Sequence, residues 1–394
     1  MNRFNLVIDR RETNSVKWDM MEQIYGIEDA SDILPMWVAD MDFPAPPAVI
    51  EALHERIEHQ ILGYSYVCND TKTAVREWLL TRHQWQTENE WMLFHQGVVP
   101  AIATVIETFT QKGDRILVTP PIYPPFFLLP ERQGRIVEES VLKELNGQYE
   151  IDFESFEESL KKGIKLFILC NPHNPGGRVW STESLHEIIR LCAKYDTLIL
   201  SDEIHGDLIF PEFTHIPLLT LAGNEGDRII TCVAPTKTFN LAGVQAAVMI
   251  STDPEKRELL KSNALAHGQM ELSPFGATAL KAAYEHGESW LDNLLTVLSS
   301  HMDYVIETIT TSVTGIKISK PQGTYLLWID YKDTGLPEEV IMDLLLNKGK
   351  LALEPGSKYG DFGKGFLRMN IACPRETLED GVKRFIYALT KEKD

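Results

Sequence analysis

Lys237 lies in Ala234-Pro235-Thr236-Lys237-Thr238-Phe239-Asn240, directly after the apolar run Ile229-Ile230-Thr231-Cys232-Val233, a placement that sets a primary amine at a strand end. An unperturbed lysine is almost wholly protonated near neutrality; condensed with an aldehyde as a Schiff base, it becomes useful for covalent chemistry. An ordinary surface lysine is the plain alternative, so the residues upstream carry the weight. Asp202, in Ser201-Asp202-Glu203-Ile204-His205, follows the apolar run Leu198-Ile199-Leu200. A carboxylate buried there needs a cation or a protonated ring to offset its desolvation. Asn174 stands in Asn171-Pro172-His173-Asn174-Pro175-Gly176-Gly177-Arg178, whose prolines and glycines specify rigid backbone and whose asparagines supply amide donors.

Two more segments follow apolar runs in the same way. After Leu93-Phe94 comes Gly97-Val98-Val99-Pro100, a glycine turn and a first-turn proline that open a helix over residues 101–109. The free amides near Gly97 and Val98 suit a phosphate, although a plain helix start has the same appearance. After residues 115–119 comes Pro120-Pro121-Ile122-Tyr123, which brings Tyr123 to a loop where it either stacks on a flat heteroaromatic ligand or packs beneath the prolines. Asn174, then Asp202 28 residues on, then Lys237 35 residues further on, together describe a pyridoxal-phosphate site: Asn to the ring hydroxyl, Asp to the ring nitrogen, Lys to the aldehyde.

The elements that must position these groups are legible between residues 91 and 250. Short β-rich runs begin at Trp91, Arg115, Leu166, Leu198, Ile229 and Ala246 and alternate with helical patterns. Such alternation predicts an α/β fold with a mostly parallel sheet wrapped by helices, in which ligands collect beyond the carboxyl ends of the strands. Ser181 reads as the N-cap of a crossover helix carrying Leu185, Ile188, Ile189 and Cys192. Beyond residue 275 long helical stretches take over, with a strand expected at Tyr325-Leu326-Leu327-Trp328-Ile329. This reads as a second lobe, joined by the first forty or so residues, since Pro44, Pro46 and Pro47 break the chain before a new helix.

Composition narrows the partners. The chain has 394 residues, 44% of them hydrophobic, enough for two lobes, and a formal charge of -19 that repels nucleic acid and anionic lipid. No run reaches the ~20 apolar residues needed to cross a bilayer, so no membrane is expected as a partner. Cys68, Cys170, Cys192, Cys232 and Cys373 lack metal-ligand spacing and read as reduced, consistent with a cytoplasmic protein. His54 and His59 flank Glu55 but lie five residues apart, on different helix faces, so no metal site is expected.

Asn-Pro-His-Asn-Pro-Gly-Gly, Ser-Asp-Glu-Ile-His and Thr-Lys-Thr-Phe-Asn occur here in the order found in the aspartate-aminotransferase-like, fold type I family of pyridoxal-phosphate enzymes, which nearly the whole chain resembles. Pro35-Met36-Trp37-Val38-Ala39-Asp40-Met41-Asp42-Phe43, Gly63-Tyr64-Ser65 and Gly365-Phe366-Leu367-Arg368-Met369-Asn370 resemble the PatB/MalY group of cystathionine β-lyases, or C-S lyases. The resemblance implies a large cofactor domain (46–285) with a mostly parallel seven-stranded sheet, and a smaller α+β domain from 1–45 and 286–394. It also implies a homodimer in which Tyr64 reaches the neighbour's cofactor phosphate, and an Arg368 that grips the substrate carboxylate.

Two departures stand out against that likeness. Ala234 and Gln245 occupy places where many such enzymes carry a phosphate-binding serine and arginine, so phosphate binding leans on Thr236, the Gly97 and Val98 amides and Tyr64. His205 stands where many relatives have a tyrosine touching the ring hydroxyl; a structural histidine is equally compatible with the sequence. The implied reaction is β-elimination on cysteine S-conjugates, foremost L-cystathionine to homocysteine, pyruvate and ammonia. Transamination, and a regulatory binding protein that retains the fold, are the alternatives.

Overall fold

The computed structural model describes residues 2–145, 147–269 and 271–390. Met1 and residues 391–394, assigned above to the smaller domain, lie outside them. Seven strands form the central sheet: β1 (Met92–His95), β2 (Arg115–Val118), β3 (Ile136–Glu139), β4 (Ile164–Cys170), β5 (Leu198–Asp202), β6 (Ile229–Val233) and β7 (Ala247–Ile250). Their spatial order is β1-β7-β6-β5-β4-β2-β3. β7 runs antiparallel to both its neighbours, and the remaining pairs are parallel.

The central strands β4 to β7 are almost unbroken apolar runs because helices cover both faces of the sheet. On one face Leu166, Ile168, Leu200 and Ile230 pack with Ala101, Ile102, Val105 and Ile106 of a helix spanning Val98–Phe109. That helix begins three residues ahead of the expected start, because Gly97 turns the chain at φ 120° and frees Val98 to enter the first turn. The crossover helix Thr182–Lys194 forms as expected, with Ser181 accepting a hydrogen bond from the Ser184 amide. β3 is the strand that periodicity misses: it sits at the sheet edge and Ile136 is exposed, so its pattern lacks the apolar signature of its neighbours.

A second, antiparallel sheet contains β8 (Lys317–Ile318), β9 (Leu326–Asp330), β10 (Glu354–Pro355) and β11 (Phe366–Asn370), in the order β8-β9-β11-β10. The long helix Glu288–Ser312 and the helix Arg375–Leu389 bury Leu291, Leu298, Val382 and Phe385 in the main core. Leu34 and Pro35 pair in parallel with Leu351 and Ala352, tying the early chain to residues more than 300 positions away.

Residues 36–43 then cross between the two sheets and are anchored by charge. Lys17, only 1% exposed, places Nζ 2.6 Å from Asp42 Oδ2 and 3.7 Å from Asp40 Oδ1. Arg10 bonds both carboxylates, at 2.7 Å (Asp40) and 2.6 Å (Asp42), and Trp18 Nε1 donates to Asp42. Burial alone pushes the Asp42 carboxyl up, but Lys17, Trp18 and Arg10 together hold it below the usual carboxylate range. Replacing Lys17 with Met leaves two half-compensated carboxylates, and we expect a loss of about 3 kcal/mol in urea denaturation. A loss below ~1 kcal/mol would show that Arg10 alone suffices as the anchor.

Candidate active site

The carboxyl ends of β4, β5 and β6 converge on one cleft, and their register explains why. Cys170, Asp202 and Cys232 are paired neighbours across the three strands, so Asp202 is flanked on both sides by soft, poorly solvating thiols. Asp202 is 5% exposed, and its Oδ1 accepts one bond, 3.1 Å from the Ile204 amide. Among the described residues no lysine, arginine or histidine forms an ion pair with it. Burial, reinforced by Glu203 and eased by the Ile204 amide and Lys237, pushes its carboxyl up to about 7.

Lys237 sits in the short helix Pro235–Thr238, directly beyond β6. Burial and the charge of Arg368 pull its amine down to about 8, against the opposing pull of Asp40 and Asp202. Nζ donates to the Ala39 carbonyl at 2.6 Å, and Tyr325 Oη donates to the same oxygen at 2.9 Å. The next residue, Thr238, is fully buried and donates to Asp207 Oδ2 at 2.8 Å, while Asp207 Oδ1 accepts from Trp78 and meets His83 Nε2 at 2.7 Å. The turn that carries the amine is thus fixed from behind by a carboxylate with three side-chain partners.

Asn174 and Arg368 meet directly: Arg368 Nη1 donates to Asn174 Oδ1 at 3.2 Å. The Asn174 loop is held by His173, whose Nε2 lies 2.9 Å from the Pro121 carbonyl and whose Nδ1 accepts from the Gly176 amide. Pro121 belongs to the loop that presents Tyr123, so one neutral imidazole links two predicted contributors. Burial raises the Tyr123 hydroxyl to about 12, with the charge of Arg368 opposing the rise and those of Asp202 and Glu354 adding to it.

His205 is buried, and its Nδ1 has no hydrogen-bond partner among the described residues. Its ring lies edge-on to Tyr325, 6.1 Å between centroids, and burial next to Lys237 and Arg368 keeps it neutral, with a pKa near 3. Gly97 and Val98 open a 12-residue helix whose first internal bond from this turn runs from the Ala101 amide to the Gly97 carbonyl. The amides ahead of that bond are the usual anion donors. Thr236 is buried beside Lys237, whereas Gln245 is exposed and Ala234 has no polar side chain. Tyr64 is the predicted residue that this chain does not bring into its own cleft; it stands fully exposed on a segment that is neither helix nor strand.

These groups fit pyridoxal phosphate. The unpaired buried carboxylate matches a cationic ring nitrogen, the depressed amine an aldehyde, the orphaned His205 Nδ1 a ring substituent, and the helix N-terminus a phosphate. Sequence reasoning missed Tyr325, Asp207, Glu354 and the Ala39 carbonyl. Glu354 carried one faint signal, its position before Pro355-Gly356; a backbone carbonyl carries none.

The family model for aminotransferase class I and II matches residues 31–385. Cystathionine beta-lyase PatB of Bacillus subtilis strain 168 is 43% identical over 97% of this chain and 99% of its own length. A pyridoxal-phosphate-bound protein of Clostridium difficile 630, provisionally described as an aminotransferase, superposes with a TM-score of 0.96 at 40% identity, covering 98% of this chain and 99% of that one. Cystalysin of Treponema denticola, whose crystal structure contains a pyridoxal 5'-phosphate cofactor, does so at 0.95 and 33%, covering 98% of each chain. The sheet order, the cleft at its carboxyl edge and these likenesses together place the chain in the aminotransferase class I and II family.

Proposed function

We propose that the protein is a pyridoxal-phosphate-dependent carbon-sulfur lyase that carries out β-elimination on cysteine S-conjugates, foremost L-cystathionine, yielding homocysteine, pyruvate and ammonia. The observation that carries this reading is the pairing of a depressed amine at Lys237 with an unpaired buried carboxylate at Asp202 around one cleft, in a chain 43% identical to a cystathionine beta-lyase over nearly its whole length. Two curated relatives named as aminotransferases, from Bacillus subtilis and Methanocaldococcus jannaschii, are each 23% identical.

When bound, the cofactor supplies an aldehyde that condenses with amines and a cationic ring that accepts the electron pair left at Cα. Lys237 holds its free-base form more readily than an ordinary lysine, so Nζ is suited to take the Cα proton and pass it to the departing sulfur. The Cα–H and Cβ–S bonds break, a Cα–Cβ double bond forms, and water later hydrolyses the freed unsaturated amino acid to pyruvate and ammonia. Asp202 would keep the ring nitrogen cationic, Asn174 and His205 would hold the ring substituents, Tyr123 would stack on the ring, and Thr236 with the Gly97 and Val98 amides would hold the phosphate. Arg368 takes the substrate carboxylate through a guanidinium whose planar fork matches it.

Tyr64 acts in a homodimer, reaching the neighbour's phosphate. The support is its complete exposure within a stretch that also exposes Ile61, Leu62 and Tyr66, an apolar patch that favours burial against a second chain. The working unit divides into a cofactor lobe (46–285) and a second lobe (1–45 with 286–394). Five unpaired cysteines agree with a cytoplasmic setting, and no described helix is long and apolar enough to cross a membrane.

Incubated with L-cystathionine and no added oxo acid, the wild-type enzyme should release thiol and pyruvate in equal amounts, and Lys237→Ala should lower that rate by at least ~10²–10⁴-fold. Strict dependence on a 2-oxo acid would instead identify a transaminase.

Asp202 makes a separate prediction about the cofactor-free protein. Its folded-state carboxyl, near 7, binds a proton more tightly than the ordinary carboxyl near 3.8, so the stability it contributes is fully present below about pH 4 and is lost as pH rises through 7. Asp202→Asn should flatten that loss and stabilise the cofactor-free protein at pH 8 by roughly 2–4 kcal/mol in urea denaturation. Parallel pH profiles for the two proteins would remove the unpaired carboxylate from the account.

A further inference from the structure

Arg368 reaches the cleft already partly engaged. It lies on β11 opposite Glu354 of β10 in the antiparallel register, and Nη2 forms an ion pair with Glu354 Oε2. Nη2 also donates to the Trp37 carbonyl at 2.9 Å, and Nη1 donates to Asn174 Oδ1 at 3.2 Å. A guanidinium has five N–H groups, and three are committed here. Nε is buried and has no partner among the described residues. Both N–H groups of Nη2, the nitrogen shared by the two forks that a carboxylate can grip, therefore have partners before any substrate arrives.

Glu354 is itself a built feature of the cleft. Its side chain is 13% exposed, Tyr359 Oη donates to Oε2 at 2.8 Å, and Lys358 Nζ lies 3.4 Å from Oε1. Tyr359 is fully buried, with its ring beneath the guanidinium, 5.2 Å from ring centroid to Cζ. The pair offsets the burial of the Arg368 guanidinium and at the same time occupies the nitrogen that a substrate carboxylate would need.

We propose that Glu354 is a specificity-determining residue that competes with the substrate α-carboxylate for Arg368 and so sets the affinity of the site for amino acids. This rests on the reading of Arg368 as the carboxylate-binding residue. A second anion entering beside Glu354 meets its charge at short range and displaces it from Nη2, leaving it with Tyr359 and Lys358, the partners it already holds. The enzyme accordingly binds α-carboxylates more weakly than an uncommitted arginine would. The ligand class affected is any amino acid bound through its α-carboxylate; amines without one are indifferent to Glu354.

The test uses the cofactor-loaded enzyme and equilibrium binding followed by visible absorbance, with L-alanine, which has no leaving group on Cβ, and ethylamine, which has no carboxylate. Glu354→Gln keeps the shape and an acceptor for Nη2 but removes the charge. It should tighten L-alanine about tenfold and change ethylamine by less than about twofold. Tyr359→Phe removes the second donor that shares Oε2 with Arg368, leaving that oxygen to the guanidinium alone, and it should weaken L-alanine several-fold; this variant decides the matter if Glu354→Gln does not fold. L-alanine binding that is unchanged or weaker in Glu354→Gln, or equal tightening of both ligands, overturns the proposal. Arg368→Gln separates the two layers: if it loses L-alanine affinity while Glu354→Gln has no effect, only the competition fails. If Arg368→Gln binds L-alanine as the wild type does, the carboxylate reading of Arg368 fails with it.

Discussion

The constraint on which the rest depends is a carboxylate buried at the end of a central strand with no cation of its own. Water is excluded by the strands on either side, and Cys170 and Cys232 stand at the same register as Asp202. Placing an ionised group there costs several kcal/mol unless a positive partner arrives. The fold tolerates that cost because the sheet around it is large and well packed. What it gains is a negative charge suited to a protonated heteroaromatic ring, and under the proposed role of Asp202 the affinity for the cofactor and its electronic activation would come from one feature.

Around this point the chain uses backbone as much as side chains. The carbonyls of residues 37–41 are acceptors for Arg368, Asn370, Lys237, Tyr325 and Asn240. Carbonyl dipoles orient cations without titrating, so the amine can gain and lose its proton while its acceptor stays in place. The buried cluster of Arg10, Lys17, Asp40 and Asp42 holds this segment against the sheets, which shows why a Lys and two Asp are retained where apolar residues pack at less cost.

Much of this was legible in the sequence, for reasons that differ residue by residue. Six of the seven strands announced themselves as apolar runs because they are covered on both faces; β3, an edge strand with Ile136 exposed, did not. Asn174, Asp202 and Lys237 were singled out because each follows such a run, and the carboxyl edge of a parallel sheet is where ligands gather. The pairing of Glu354 with Arg368 was hidden, since a cross-strand neighbour 14 residues away leaves no periodic trace. Asp207 was also missed: its partners Trp78, His83 and Thr238 come from two distant elements, and only the folded packing of helix against sheet brings them together.

The segment crossing between the sheets has a bearing on how the molecule comes to life during synthesis. The contact between Trp37 and Arg368 spans 331 positions, and that between Ala39 and Lys237 spans 198. A growing chain on the ribosome therefore possesses the lysine, the aspartate and the sheet long before it possesses the arginine strand that completes the pocket. Half-made polypeptides lack the contacts of Arg368 with Trp37 and Asn174, so this part of the structure is completed only when almost the whole chain has emerged.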